Sequence, residues 1–183
     1  MNKILNFKAS LMVAAMLVLP VAQAATMTKA EYKADKTRIS ADYKADKAAC
    51  ATLVANAKDI CVEEAKAKEK VARAELEYRY TGKPGDQTKV LEAKAKSAYA
   101  VAKEKCDDQK GNAKDVCVKE AKAIEVKALA DAKMGKEIGE AKKEASEDKR
   151  DADYKVAVEK CDAMTGDAKA SCIAAAKTKF GKN

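Results

Sequence analysis

Twelve residues bounded by cysteines occur three times in this chain, from Cys50 to Cys61, from Cys106 to Cys117 and from Cys161 to Cys172. If each unit were one unbroken helix, its cysteines would stand about 16 Å apart at 1.5 Å per residue, far outside the reach of a disulfide. Folding back brings them together. The middle of each unit supports such a bend: Gly111-Asn112 and Gly166-Asp167 in the later copies, Ala55-Asn56 in the first. Glycine accepts the left-handed conformation that ends a helix, and Asn or Asp caps the next one. Asp59 and Asp115 then fall in the first turn beyond the bend, where a carboxylate suits the helix dipole; the third copy has Ala170 there. Of the fifteen pairings that six cysteines permit, the spacing predicts Cys50 with Cys61, Cys106 with Cys117 and Cys161 with Cys172.

The units recur every 55 or 56 residues, and Tyr43, Tyr99 and Tyr154 each stand seven residues before the first cysteine. Two helical turns put tyrosine and cysteine on one face, so the rings are expected to pack against the inner arm beside the disulfide. Tyr32, Ile39, Tyr43, Cys50 and Leu53 form one stripe of a first helix, about 27–55, and a second arm runs from Ala57 to about Tyr80. Thr81-Gly82-Lys83-Pro84-Gly85-Asp86 is the clearest break. A third helix reaches Lys110. Beyond the second bend, Cys117, Ala121, Ile124, Ala128, Ala132, Gly135 and Gly139 follow helical spacing and are nearly all small, a stripe that would let a neighbouring helix approach closely. No proline interrupts 112–165, which as one helix would measure about 80 Å; a break at Gly139, where the previous repeat has 81–86, is the alternative. The expected fold is therefore all-α: elongated, coiled-coil-like antiparallel hairpins, each stapled at its bend. Its parts are a leader (1–24), repeat 1 (25–80), a loop (81–86), repeat 2 (87–138) and repeat 3 (139–183).

Composition agrees, with 36% charged, 48% hydrophobic and 4% aromatic residues. Much of the hydrophobic share is alanine, a strong helix former that buries little surface. Lys3 and Lys8, the apolar run Leu11 to Val21 and the small-residue site Ala22-Gln23-Ala24 read as a signal peptide cleaved after Ala24. All six cysteines lie beyond it, as a disulfide framework in an oxidising compartment requires. No later apolar run has the length of a membrane span, so the expected location is the periplasm. The net charge is +8, or +6 without Lys3 and Lys8. Acids and bases interleave at favourable i, i+4 spacing, as in Glu64/Lys68, Glu69/Arg73, Glu92/Lys96, Asp115/Lys119 and Asp151/Lys155. That pattern describes a solvated helix surface and argues against a continuous basic track for nucleic acid.

The sequence offers no catalytic constellation. It has no histidine, no Cys-x-x-Cys and no phosphate-binding glycine loop, so neither an enzyme nor a cofactor or metal site is expected. One charge pattern repeats: Lys58, Lys114 and Lys169 stand in the first turn after each bend. Lysine there opposes the helix dipole, which makes the three candidate anion contacts.

The units Cys-Asp-Asp-Gln-Lys-Gly-Asn-Ala-Lys-Asp-Val-Cys and Cys-Asp-Ala-Met-Thr-Gly-Asp-Ala-Lys-Ala-Ser-Cys, with Asp148 to Lys155 before the third unit, resemble exported alanine- and lysine-rich helical proteins of proteobacteria, some labelled TolA-like. The resemblance covers essentially the whole chain. TolA's membrane anchor has no counterpart, because the N-terminal apolar run reads as cleavable, and its bridging role is not carried over. The twin Cys-x9-Cys hairpins of the mitochondrial intermembrane space are similar in architecture only. Two functions are consistent with all of this: a non-catalytic envelope spacer or binding module for an anionic envelope component or an envelope protein, and a periplasmic stress or chaperone-like protein. The oligomeric state is left open.

Overall fold

The computed structural model describes residues 27–182, all helical apart from bends; the leader expected over 1–24 lies outside them. Five α-helices follow in order: α1 (Lys29–Ala49), α2 (Ala55–Thr81), α3 (Pro84–Cys106), α4 (Asn112–Cys161) and α5 (Gly166–Phe180). A single 3-10 turn, Cys50–Thr52, leads out of α1. Consecutive helices are antiparallel, and among the described residues each packs only on its neighbours in sequence. The architecture is thus an open array with no central core. Buried side chains are few and mostly small, Ile39 and Leu76 being the largest exceptions beside Val90.

The start of α1 is fixed by Thr28, whose hydroxyl accepts from the Glu31 backbone N–H while the Glu31 carboxylate accepts from the Thr28 N–H, a reciprocal capping box. Its apolar stripe buries Ile39 and Cys50, but Leu53 lies past the helix end and is exposed. The break between α2 and α3 is tighter than 81–86. Gly82 closes α2 in the left-handed conformation (φ 63°), and Pro84 already occupies the first turn of α3, where its missing N–H is no loss. Asp86 is buried there, accepting from the Thr81 hydroxyl (2.6 Å) and pairing with Lys89 (2.8 Å).

The three disulfides are Cys50–Cys61, Cys106–Cys117 and Cys161–Cys172, each with Cα atoms 5.7 Å apart. Their first cysteines are the most buried residues of the bends. The bends are built differently from the expected stop-and-cap pair. Gly111 (φ 56°, ψ −142°) precedes the first residue of α4 instead of ending α3 in the left-handed helical state, and neither Asn112 nor Asp167 caps a helix. Asn56 is also no cap; its Nδ2 donates to the Glu104 carbonyl at the end of α3 (3.0 Å), tying bend 1 to bend 2. The positive φ is nonetheless shared by Gly111, Gly166 and, in the first copy, Ala55 (φ 49°). Ala55 therefore holds a conformation that only glycine adopts freely. Ala55→Gly is expected to stabilise hairpin 1 by about 1 kcal/mol, and Gly111→Ala to destabilise hairpin 2 by a similar amount, since nothing crowds a Cβ at Gly111; urea melts of the two variants check this.

Of the two readings of 112–165, the unbroken helix and the break at Gly139, the structure has the unbroken helix, α4. It runs unbroken for 50 residues, about 75 Å, through Gly135 and Gly139, so the division at 138/139 falls inside one helix. Its first part pairs with α3, as Tyr99 under Lys122 and the Cys106–Cys117 bond mark. Its last part pairs with α5 through Tyr154 against Phe180 and Asp151 with Lys182. From Lys133 to Arg150 every residue is exposed, although Gly135, Lys136, Gly139 and Lys143 still border the start of α3 across a cleft shared with Pro84, Thr88 and Leu91. A glycine within a helix weakens it by about 1 kcal/mol without forcing a turn, and this segment lacks the Pro84 that follows Gly82 in the earlier break. The small-residue stripe lies along α3 at Ala121, Ala128, Ala132, Gly135 and Gly139, with one correction: Ile124 is 66% exposed and Glu125 takes the covered position.

Candidate functional site

Bends 1 and 2 share one end of the array because α2 and α3 return the chain, whereas bend 3 sits at the far end of α4. The three candidate lysines are thus not gathered into one site. Lys58 is exposed and has no ion pair among the described residues. Lys114 is held by Asp107 (2.9 Å) and Lys169 by Asp162 (2.9 Å), each aspartate following the first cysteine of its own bend. The Asp107 hydrogen bond and charge raise the Lys114 ammonium above its ordinary value. The sequence carried the signal for this pairing, since Asp107 and Asp162 match while the first copy has Ala51; the lysine-to-aspartate closure of a bend becomes visible only with the fold. Tyr43, Tyr99 and Tyr154 are all half-buried. Tyr99 lies 4.8 Å beneath the Lys122 ammonium and Tyr154 meets Phe180 edge-on, so both rings face the partner arm.

Several charges expected to pair along one helix reach across to another. Glu69–Arg73 (2.7 Å) and Glu92–Lys96 (3.4 Å) form within their helices. Lys68 instead pairs with Asp46, Glu64 with Lys105, and Asp151 with Lys182, each partner being supplied by the antiparallel neighbour. Arg79 reaches Asp35 and Arg73 reaches the Ser40 hydroxyl in the same way. The charged surface is thus part of what joins the helices.

Sequence reasoning missed one feature altogether. Across α2, the facing sides of α1 and α3 enclose a groove of about 690 Å³. Ile39, Ala72, Val90 and Leu91 give it an apolar floor, Tyr43 and Tyr78 line its walls, and both signs of charge rim it. No single helix carries a signal for it, since it exists only where three helices lie side by side.

Ion pairing holds several side chains in their charged forms. Asp35, Asp86 and Asp151 are all shifted below the ordinary carboxylate value, chiefly by hydrogen bonds from Arg38, Lys89 and Lys182 respectively. Lys66, Lys68, Lys89 and Lys122 are shifted up by their carboxylate partners. A general acid or a lysine nucleophile needs the opposite directions. Among the described residues no cluster of metal-ligating side chains occurs. The same shifts set the acid limb of stability. A carboxylate whose folded pKa is depressed contributes stability fully present above its unfolded value, about 3.9 for Asp, and lost as pH falls through the folded value. Urea midpoints are therefore expected to drop between pH 5 and pH 2, and Asp86→Asn to lower the neutral-pH midpoint while making the acid drop shallower.

Searches against family models, curated proteins and solved structures found no match to this chain. Among the described residues no helix is long and apolar enough to cross a membrane. Three local disulfides are consistent with an oxidising compartment outside the cytoplasm.

Proposed function

We propose that this is a non-catalytic protein of the periplasm, exported by its N-terminal leader, that serves as a helical spacer or binding module for an anionic envelope surface or an envelope protein. The observation that carries this reading is α4, which separates bends 1 and 2 from bend 3 by about 75 Å with a charged, exposed middle. A rod with surfaces at both ends suits bridging or adhesion. The net charge of +6 beyond the leader and the free Lys58 support weak attraction to anionic material. Such attraction fades with salt, as the Debye length falls from about 10 Å at 0.1 M to about 3 Å at 1 M.

Pull-downs from envelope fractions at those two salt levels, with wild type and a Lys58, Lys114, Lys169 triple-alanine variant, test the proposal. Retention at low salt only, reduced in the variant, is expected. A protein partner kept at 1 M salt by wild type and variant alike would replace the electrostatic reading with a specific packing interface. The chaperone-like reading rests on the groove between α1 and α3, whose tyrosines and apolar floor suit an extended unfolded segment. Suppression of aggregation of a reduced client, lost on Tyr43→Ala with Tyr78→Ala, would favour it.

A further inference from the structure

The contacts that join hairpin 1 to hairpin 2 recur, unmade, along α4. Three polar contacts bind α2 to α3: Glu64 to Lys105 (2.8 Å), Glu75 to Lys94 (2.8 Å), and the Asn56 amide to the Glu104 carbonyl (3.0 Å). Moving the α2 residues forward by one repeat, 56 positions, gives Glu120, Asp131 and Asn112 in the first part of α4. Moving the α3 residues forward by 55 gives Lys160, Lys149 and Glu159 in its last part. The chemistry of all three contacts is preserved. Yet Glu120 and Lys160 lie on one straight helix, about 60 Å apart, and none of Glu120, Asp131, Lys149 and Lys160 has an ion-pair partner among the described residues.

We propose that this face of α4 binds the same face of a second copy of the chain, antiparallel, in a two-fold symmetric dimer. In the α2–α3 register each ion-paired couple has residue numbers summing to 169; the equivalent couples on α4, Glu120 with Lys160 and Asp131 with Lys149, both sum to 280. A constant sum is the signature of one antiparallel alignment, and when both halves lie on the same helix that alignment is its own mirror. Residue i of one copy meets residue 280 minus i of the other, as an isologous interface requires. The same rule, without further adjustment, sets Ile124 opposite Val156, the one 66% and the other 54% exposed, and Lys127 opposite Asp153. Near the two-fold axis it sets Gly135, which also borders the start of α3, opposite Ala145.

The face is exposed along its whole length. At about 100° per residue, Glu120, Ile124, Asp131, Lys149, Val156 and Lys160 lie about a third of a turn from Ala121, Glu125 and Ala132, which α3 covers. Tyr154 and Cys161, which face α5, fall on that same covered side. Both neighbours of α4 thus leave one continuous stripe bare, about 60 Å long. The arrangement is a domain swap in the strict sense: a turn at 138/139 would let the two halves of α4 satisfy these contacts within one chain, and the straight helix offers them to a partner instead.

Sedimentation of the purified, disulfide-bonded chain tests this at 0.1 M salt, with two charge-reversed variants, Glu120→Lys with Asp131→Lys and Lys149→Glu with Lys160→Glu. All four positions are exposed, and circular dichroism checks that helicity is kept. Wild type is expected to sediment as a dimer, each variant alone to dimerise at least tenfold more weakly, and an equimolar mixture of the two to regain wild-type affinity, since each reversed face then meets its complement. A monomeric wild type would overturn the proposal. So would variants that dimerise as tightly as wild type, or helical monomers that fail to combine on mixing, which is the outcome of a fold-back within one chain.

Discussion

Reduction of the three disulfides is expected to lower the melting temperature sharply and to broaden the transition into separate steps. Each bond closes an eleven-residue separation, worth about 3 kcal/mol in unfolded-state entropy, against a total of about 5–15 kcal/mol for an ordinary domain. This chain starts from less than an ordinary core, since few large side chains are fully buried. The loss is not evenly spread. α5 is the shortest helix at 15 residues, with Ala176 its one buried position, so once Cys161–Cys172 is open little holds it against α4. Hydrogen exchange after reduction is expected to reach open-chain rates first over 166–180, then over α1, while α2 and α3 retain protection longest. Circular dichroism with and without reductant reads the first effect; a single sharp transition indifferent to reductant would mean that packing, not the staples, dominates.

Leu76→Ala is expected to be the most damaging single substitution in the helices. Leu76 is 2% exposed and is the largest fully buried side chain described, placed on α2 between α1 and α3. Truncating a buried leucine costs about 2–5 kcal/mol, the spread reflecting how far the site can collapse. An open array of helices can close up more easily than a domain core, which places the expected value near the lower half of that range. Because α5 and the end of α4 do not touch this site, the loss should appear in the unfolding of α1–α3 and leave exchange over 152–180 unchanged. A fall in protection at both ends of the molecule would show the array to unfold as one unit.

The disulfide pairing and the hairpin architecture were legible from the cysteine spacing because helix rise alone forbids the straight alternative. The break before Pro84 was legible because Gly82 and Pro84 each restrict the backbone locally. What the sequence withheld depends on neighbours. Asn56 looked like a cap, and its role as a tie to Glu104 exists only when α2 lies on α3. Glu64 and Lys68 looked like one intrahelical pair, but each had a better partner on another helix. A break at Gly139 was the alternative by analogy with 81–86, yet glycine without proline weakens a helix without ending it. Ile124 was placed on a packing stripe by its spacing; the true covered position is Glu125, whose carboxylate is satisfied at the edge of the contact by Lys122 (2.6 Å).

The continuity of α4 is the feature on which the spacer reading and the paired face both depend. A distance measured by pulsed electron resonance between non-cysteine spin labels at Lys119 and Lys155 tests it most directly, with labelled chains diluted into a large excess of unlabelled ones so that only distances within one molecule are read. Both positions are exposed. An unbroken helix puts them about 54 Å apart, in a narrow distribution. A distance under about 20 Å, close to the 8–10 Å spacing of packed antiparallel helices with a small axial offset, would mean that the chain turns back near Gly139 and would contradict the rod.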